Sequence, residues 1–319
     1  MLVCLKGGIC LINKIVENIE KVIIGKREQI LLVINSLISS GHILIEDVPG
    51  VGKTRLVTAL AKSVNASCKR IQFTADVLPS DITGFSVYNQ KSGEFEFKQG
   101  AVMSQFVLAD EINRASPKTQ AALLEVMEER TVTVDGTTYK VPAPFMVMAT
   151  QNPVEFSGTF PLPEAQLDRF FIKISIGYPS KEDELRIIGM HKAGDPINDL
   201  KAVASVDDIF KMQEEVKKVY VKENVAKYIV NIVGKTRNYE GVEMGASPRA
   251  SFYLLRGAQA NAYINNRDYV IPDDVIYMSD YVLSHRIVLS DKLKFEGVTS
   301  KQIIEDILSK EKVPKDEND

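Results

Sequence analysis

The 319-residue sequence predicts an α/β core followed by a helical domain. Three observations carry that expectation. Between residues 41 and 176, short apolar runs alternate with helical stretches, the pattern of a parallel sheet with helices on both faces. A glycine-bearing turn, Asp47 to Thr54, joins the first apolar run to a helix. Beyond Tyr178-Pro179-Ser180, strand-like alternation largely disappears and the chain reads as helix.

Taken in order, residues 1–12 are apolar but broken by Lys6, Gly7 and Gly8, and read as a ragged leader. They lack the charged start and small-residue cleavage site of a signal peptide. Helices are expected at 12–21 and 28–39, joined by a turn, 22–26, whose apolar residues look exposed. Residues 41–45 form a buried strand, 53–65 a helix, 69–74 and 105–109 strands. Between them, 85–88 and 94–97 alternate about Gly93, as a hairpin where a crossover helix is expected. Ser116 and Pro117 read as an N-cap and first helical position, opening a helix to Arg130. Asp135-Gly136 between 131–134 and 137–141 is a two-residue hairpin turn. Strands follow at 144–150 and 170–176. Helices are then expected at 181–192, 206–219, 223–239, 247–265, 272–287 and 300–309. The expected division is a core at 1–178, including the 1–12 leader, a helical domain at 179–310 and a frayed tail at 311–319.

Composition excludes several classes. Hydrophobic content of 45% and charged content of 25% argue against wholesale disorder. A net charge of −3 leaves no global basic footprint for nucleic acid. No uncharged apolar run approaches the roughly 18–20 residues of a membrane span. Cys4, Cys10 and Cys68 show no CxxC spacing, so zinc and disulfide frameworks are not expected and a reducing cytoplasm fits. His42, His191 and His285 are scattered and read as structural.

The run Asp47-Val48-Pro49-Gly50-Val51-Gly52-Lys53-Thr54 follows the first strand and opens a helix, the context of a phosphate-binding loop. Its glycines let successive N–H groups face phosphate oxygens at a helix N-terminus. Lys53 suits the β- and γ-phosphates, Thr54 suits Mg2+, and Arg55 follows in the first turn. Asp47 stands at the usual first glycine, and a glycine-rich strand-to-helix turn is the plainer alternative. Asp110 and Glu111 end another buried strand, with Asp110 suited to hold Mg2+ and Glu111 to activate water. Such a pair can also simply cap a loop. Asn152 ends the next strand, where its amide can reach a γ-phosphate or serve an Asn-Pro turn. Arg169, before the last strand, suits an arginine finger from an adjacent subunit or a pair with Asp168. Arg249, opening a helix of the second domain, suits a γ-phosphate contact coupling the domains or is merely an exposed helix start. Arg114 is a further candidate for a contact between subunits.

This order of motifs resembles the AAA+ ATPases, and within them the MoxR family. The resemblance runs through 46–54, Ala109-Asp110-Glu111-Ile112-Asn113-Arg114-Ala115, 118–125, Ala149-Thr150-Gln151-Asn152-Pro153 and 158–170, and spans about residues 13–310. It implies a five-stranded parallel core with a helical lid, the 78–104 segment as a helix-2 insert and the Asp135-Gly136 hairpin as the one before sensor 1. It implies ATP and Mg2+, Ile24 and Gly25 at the adenine, Asn152 as sensor 1, Arg169 as finger and Arg249 as sensor 2. Leu185 and Ile188 become adenine-side or helix-core residues. It further implies a homo-oligomer, commonly a hexameric ring, and protein partners carrying a von Willebrand factor A domain. An ATP-driven remodelling or chaperone-like motor is therefore the expected function. A nucleic-acid motor fits less well, because Lys91 and Lys98 are offset by Glu94 and Glu96, and the second hairpin offers only Lys140. A binding switch without turnover would have no need of Glu111.

Overall fold

A computed structural model describes residues 3–153, 158–191 and 194–314, without the side chains of residues 3–7 and 191. The first helix, α1 (Val3–Glu20), begins well before the expected start, so the 1–12 segment is no ragged leader within the described residues. Ile12, Ile15, Val16 and Ile19 recur at helical spacing and are buried. Gly8 lets this helix cross Tyr263 of the lid, since a Cβ there would stand 1.8 Å from its hydroxyl. The turn after α1 also departs from expectation, because Val22, Ile23 and Ile24 are all buried. Helix α2 (Arg27–Ile38) leads into β1 (Ile43–Glu46), α3 (Lys53–Ser63) and β2 (Cys68–Gln72).

A short helix α4 (Pro79–Thr83), missed in the sequence, precedes the insert hairpin β3 (Gly84–Asn89) and β4 (Glu94–Gln99). Strand β5 (Phe106–Asp110) and helix α5 (Pro117–Glu129) follow, the latter capped by Ser116 as expected. The hairpin β6 (Thr131–Val134) and β7 (Thr137–Lys140) turns at Asp135-Gly136, both at positive φ (49° and 78°). Phe97 of the insert stacks on Tyr139 of this hairpin at 4.1 Å, joining the two. Strand β8 (Met146–Gln151), helix α6 (Glu164–Leu167) and strand β9 (Ile172–Ile174) complete the core.

The five core strands pair in parallel in the order β2-β5-β8-β1-β9. Side-chain alternation divides the interior. Ile43, Ile45, Phe106, Leu108, Met146, Met148, Ile172 and Ile174 join α1, α2 and the lid on one face. Leu44, Val107, Ala109, Val147 and Ala149 join α5, Phe73 and Ile82 on the other. Because the sheet is parallel, Glu46, Gln72, Asp110 and Gln151 share one edge, while His42 and Phe171 lie at the other. Ligands of such sheets bind beyond the carboxyl edge.

The lid comprises α7 (Lys181–His191), α8 (Val206–Val216), α9 (Glu223–Arg237), β10 (Val242–Met244), α10 (Pro248–Ile264), α11 (Pro272–Leu283), β11 (Val288–Leu289), α12 (Asp291–Phe295) and α13 (Ser300–Lys310). It is not purely helical, because β10 and β11 form an antiparallel ribbon. The expected tail starts anchored, with Glu311 accepting from Asn231 at 3.0 Å and pairing with Lys235 at 2.5 Å. Residues 315–319 of that tail lie outside the described residues, as do the side chains of Cys4 and His191. Among the described residues no helix is long and apolar enough to cross a membrane.

Candidate active site

The loop after β1 closes through two glycines at positive φ, Gly50 (87°) and Gly52 (91°), the latter capping α3. Nothing stands within 4 Å of where a Cβ on Gly50 would be, so conformation rather than space demands glycine there. Lys53 Nζ donates to the Asp47 carbonyl at 2.9 Å, which folds the ammonium back over the loop. The Asp47 carboxylate turns away from the loop's hollow. It accepts from Val48 N at 2.9 Å, and from Ile176 N and Gly177 N at 2.6 and 2.7 Å. Asp47, expected among the nucleotide-binding residues, thus braces the loop against the segment leading to the lid. Val48, Pro49, Val51 and Thr54 keep their expected places in the loop and first helical turn.

The acid pair stands at the same edge. Asp110 is neutralised by Arg70 of β2, whose Nε and Nη2 donate to Oδ2 at 3.2 and 2.6 Å. Its Oδ1 accepts from the Thr150 hydroxyl at 2.7 Å. The same hydroxyl accepts from Glu111 N at 2.8 Å, so β8 fixes both acids. Glu111 lies in the left-handed region at φ 56°, ψ 51°, a conformation costly for a side chain of its kind and common at functional sites. Gln72 Nε2 donates to Glu111 Oε2 at 2.8 Å and Arg114 Nε pairs with it at 3.1 Å. Arg114 thus pairs with its own chain's Glu111 and keeps 40% of its side chain exposed. Asn152 is buried just beyond Gln151, whose carbonyl accepts from Asp47 N at 3.1 Å. Asn152 and the loop are thereby adjacent.

An apolar slot of about 220 Å3 opens beside the loop. Ile24 and its neighbours line one wall, Gly50 to Gly52 the floor, and Ile187 and Met190 of α7 the other wall. Arg55 lines it too, held by Asp195 at 2.6 Å. Gly25 sits against α7, where a Cβ would meet Asp183. Leu185 and Ile188, read as adenine-side or helix-core residues, are 70% and 54% exposed. Helical register turns Ile187 and Met190 inward instead.

Arg169 and Arg249 are brought together, far from the loop. Both bind Glu128 at the end of α5, Arg169 Nη2 to Oε2 at 3.2 Å and Arg249 Nη2 to Oε1 at 2.6 Å. They line a cleft of about 460 Å3 shared with Ser39, Ser40 and His42, at the amino edge of the sheet. Asp168 does not pair with Arg169. It accepts from Arg286 Nε at 2.9 Å and from the Ser247 hydroxyl at 3.1 and 2.9 Å. Burial pushes the Arg286 guanidinium down to about 10, against the opposing charge and hydrogen bonds of Asp168.

Sequence and structure comparisons give the family. The profile of the ATPase family associated with various cellular activities (AAA) matches residues 42–172, and that of the AAA lid domain matches 234–307. The Chaperone MoxR1 of Mycobacterium tuberculosis is 41% identical over 95% of this chain and 82% of its own. The chain belongs to the MoxR family of AAA+ ATPases. YeaC of Bacillus subtilis is 52% identical over 95% of each chain. A crystal structure from Cytophaga hutchinsonii superposes with a TM-score of 0.92 at 42% identity, covering 98% of this chain and 97% of that one.

Within this MoxR-family site, oxygen donors at Thr54 and Asp110 suit Mg2+, which takes further ligands from phosphates and water. Among the described residues no group of three or more His, Cys, Asp or Glu offers a metal centre of its own. Several participants escaped the sequence reading. Arg70 and Gln72 were legible only as alternate residues of one strand. Their common direction toward the acids follows from the period of two once β2 is paired with β5. Thr150 carried no motif of its own, and neither did Glu128.

Proposed function

We propose that this MoxR-family protein hydrolyses ATP at sites completed between adjacent copies, and uses the cycle to remodel or mature protein complexes. The observation that carries this reading is the separation of the machinery. Lys53, Thr54, Asp110, Glu111 and Asn152 gather at the carboxyl edge, while Arg169 and Arg249 converge at the amino edge. One protomer's arginines face away from its own phosphate loop, and ring packing brings them to a neighbour's.

In that assembly, the loop N–H groups and Lys53 bind the triphosphate, and the slot at Ile24, Gly25 and Ile187 takes the base. Thr54 and Asp110 would hold Mg2+, which when bound offsets phosphate charge. Glu111 leaves Gln72 and Arg114 to accept a proton from water. Asn152 senses the terminal phosphate, and Arg169 and Arg249 of the neighbour stabilise its developing charge. Asp47 and Arg55, tied to 175–177 and Asp195, carry the change toward the lid. The client is a protein, with a von Willebrand factor A domain as the partner type the family suggests. Charge balance in the insert, where Lys98 pairs with Glu96 at 3.5 Å, weighs against nucleic acid.

The test is ATP turnover per protomer against protein concentration, with Glu111→Gln as the inactive control that still binds nucleotide. Turnover should rise steeply and then saturate as copies assemble. A flat rate from a particle of monomer mass would overturn the shared site.

A further inference from the structure

Glu128 is an odd place for a carboxylate. It sits in the last turn of α5, where the helix dipole disfavours an anion. Among the described residues it is also the one acidic residue lining a cleft that Arg130, Arg169, Lys217, Arg249 and Arg256 make strongly cationic. Two of those guanidiniums would repel each other if left alone. Glu128 gives one oxygen to each, 3.2 Å from Arg169 and 2.6 Å from Arg249. That bridging geometry is what two oxygens of a phosphate would present to the same pair.

We propose that Glu128 is the positioning residue of the arginine pair: its carboxylate holds Arg169 and Arg249 converged, in the place the neighbouring protomer's terminal phosphate takes over. Asp168 backs the pair: its carboxylate accepts from Ser247 and Arg286, and its Oδ2 lies 4.0 Å from Arg249 Nε. The inference rests on the shared-site reading above and adds a residue to it. Glu128 acts on the neighbour's nucleotide through the arginines and never on its own chain's.

Directionality gives the test. Glu128→Gln keeps shape but loses the charge that binds both guanidiniums. Its turnover should fall on the order of tenfold, less than loss of the finger itself, since the arginines remain but are misplaced. Binding of a fluorescent ADP to its own loop should be unchanged, which also reports an intact core. Mixed with Glu111→Gln, whose arginines are intact, it should recover turnover above either variant alone. Mixed with Arg169→Ala it should stay no higher than Glu128→Gln alone, because no interface then has a complete set. Glu128→Asp should restore part of the loss. Wild-type turnover in Glu128→Gln, weakened ADP binding, or recovery with Arg169→Ala would each overturn the proposal. The Arg169→Ala and Glu111→Gln mixture is the control. If it stays inactive, the shared site falls and Glu128 with it; if it recovers while Glu128→Gln behaves otherwise than stated, Glu128 alone falls.

Discussion

Arg70 shows how much a single side chain in this site is asked to do. Its guanidinium doubly engages Asp110 Oδ2, and its Nη2 also donates to Gln72 Oε1 at 2.8 Å. Gln72 in turn holds Glu111. One strand thus secures both acids, and the carboxylate suited to Mg2+ carries a competing cation. A half-exposed pair of this kind is weak as a source of stability, so its effect should show in metal binding instead. Arg70→Met should lower, severalfold, the Mg2+ concentration that half-saturates tightening of a fluorescent nucleotide. A raised Mg2+ requirement would mean the guanidinium helps hold the anion rather than competing for Asp110. The same variant should leave metal-free nucleotide binding close to that of the parent.

Elements differ in what fixed them and in how far the sequence revealed it. The strands β1, β5 and β8 were legible because burial on both faces leaves unbroken apolar runs, as in Phe106-Val107-Leu108-Ala109. The hairpins were legible from Gly93 and Asp135-Gly136, whose positive φ values are local requirements. The start of α1 was not, because Gly7 and Gly8 look like breakers until Tyr263, over 250 residues away, occupies the space. The ribbon β10–β11 is too short to show alternation. Arg286 was hidden for the same non-local reason. It reads as an ordinary basic residue, yet its side chain is 1% exposed and donates to Asp168 and to the carbonyls of Asp168, Phe170 and Val282. Arg286→Met leaves those acceptors buried without a donor, and should destabilise the fold by about 3 kcal/mol in urea titration. A change below about 1 kcal/mol would mean that water replaces the guanidinium.

At the scale of the molecule, core and lid share one interior. Tyr263 and Leu254 of the lid lie in the same buried cluster as Ile15, Ile19 and Ile34, so the lid is packed onto the core rather than hung from it. Two histidines are buried in this structure. His42 accepts from Val147 N at Nδ1 (2.9 Å), so the ring proton sits on Nε2, facing the Met127 carbonyl at 3.1 Å. Burial chiefly, and then Arg130, push it down to about 3. His285 is shifted the same way by burial and by Arg286. The unfolded chain takes up these protons near pH 6.5, whereas the folded chain refuses them until far lower. The stability that neutral imidazoles contribute is therefore complete above pH 6.5 and is lost as pH falls, by about 1.4 kcal/mol per pH unit for each histidine once the unfolded state is protonated. Between pH 6 and 5 most carboxylates remain ionised, so urea midpoints in that window read the histidines. His42→Asn should lower stability at pH 7 yet reduce the pH slope by one proton. An unaltered slope would show that His42 already shares its proton with the solvent in the folded state.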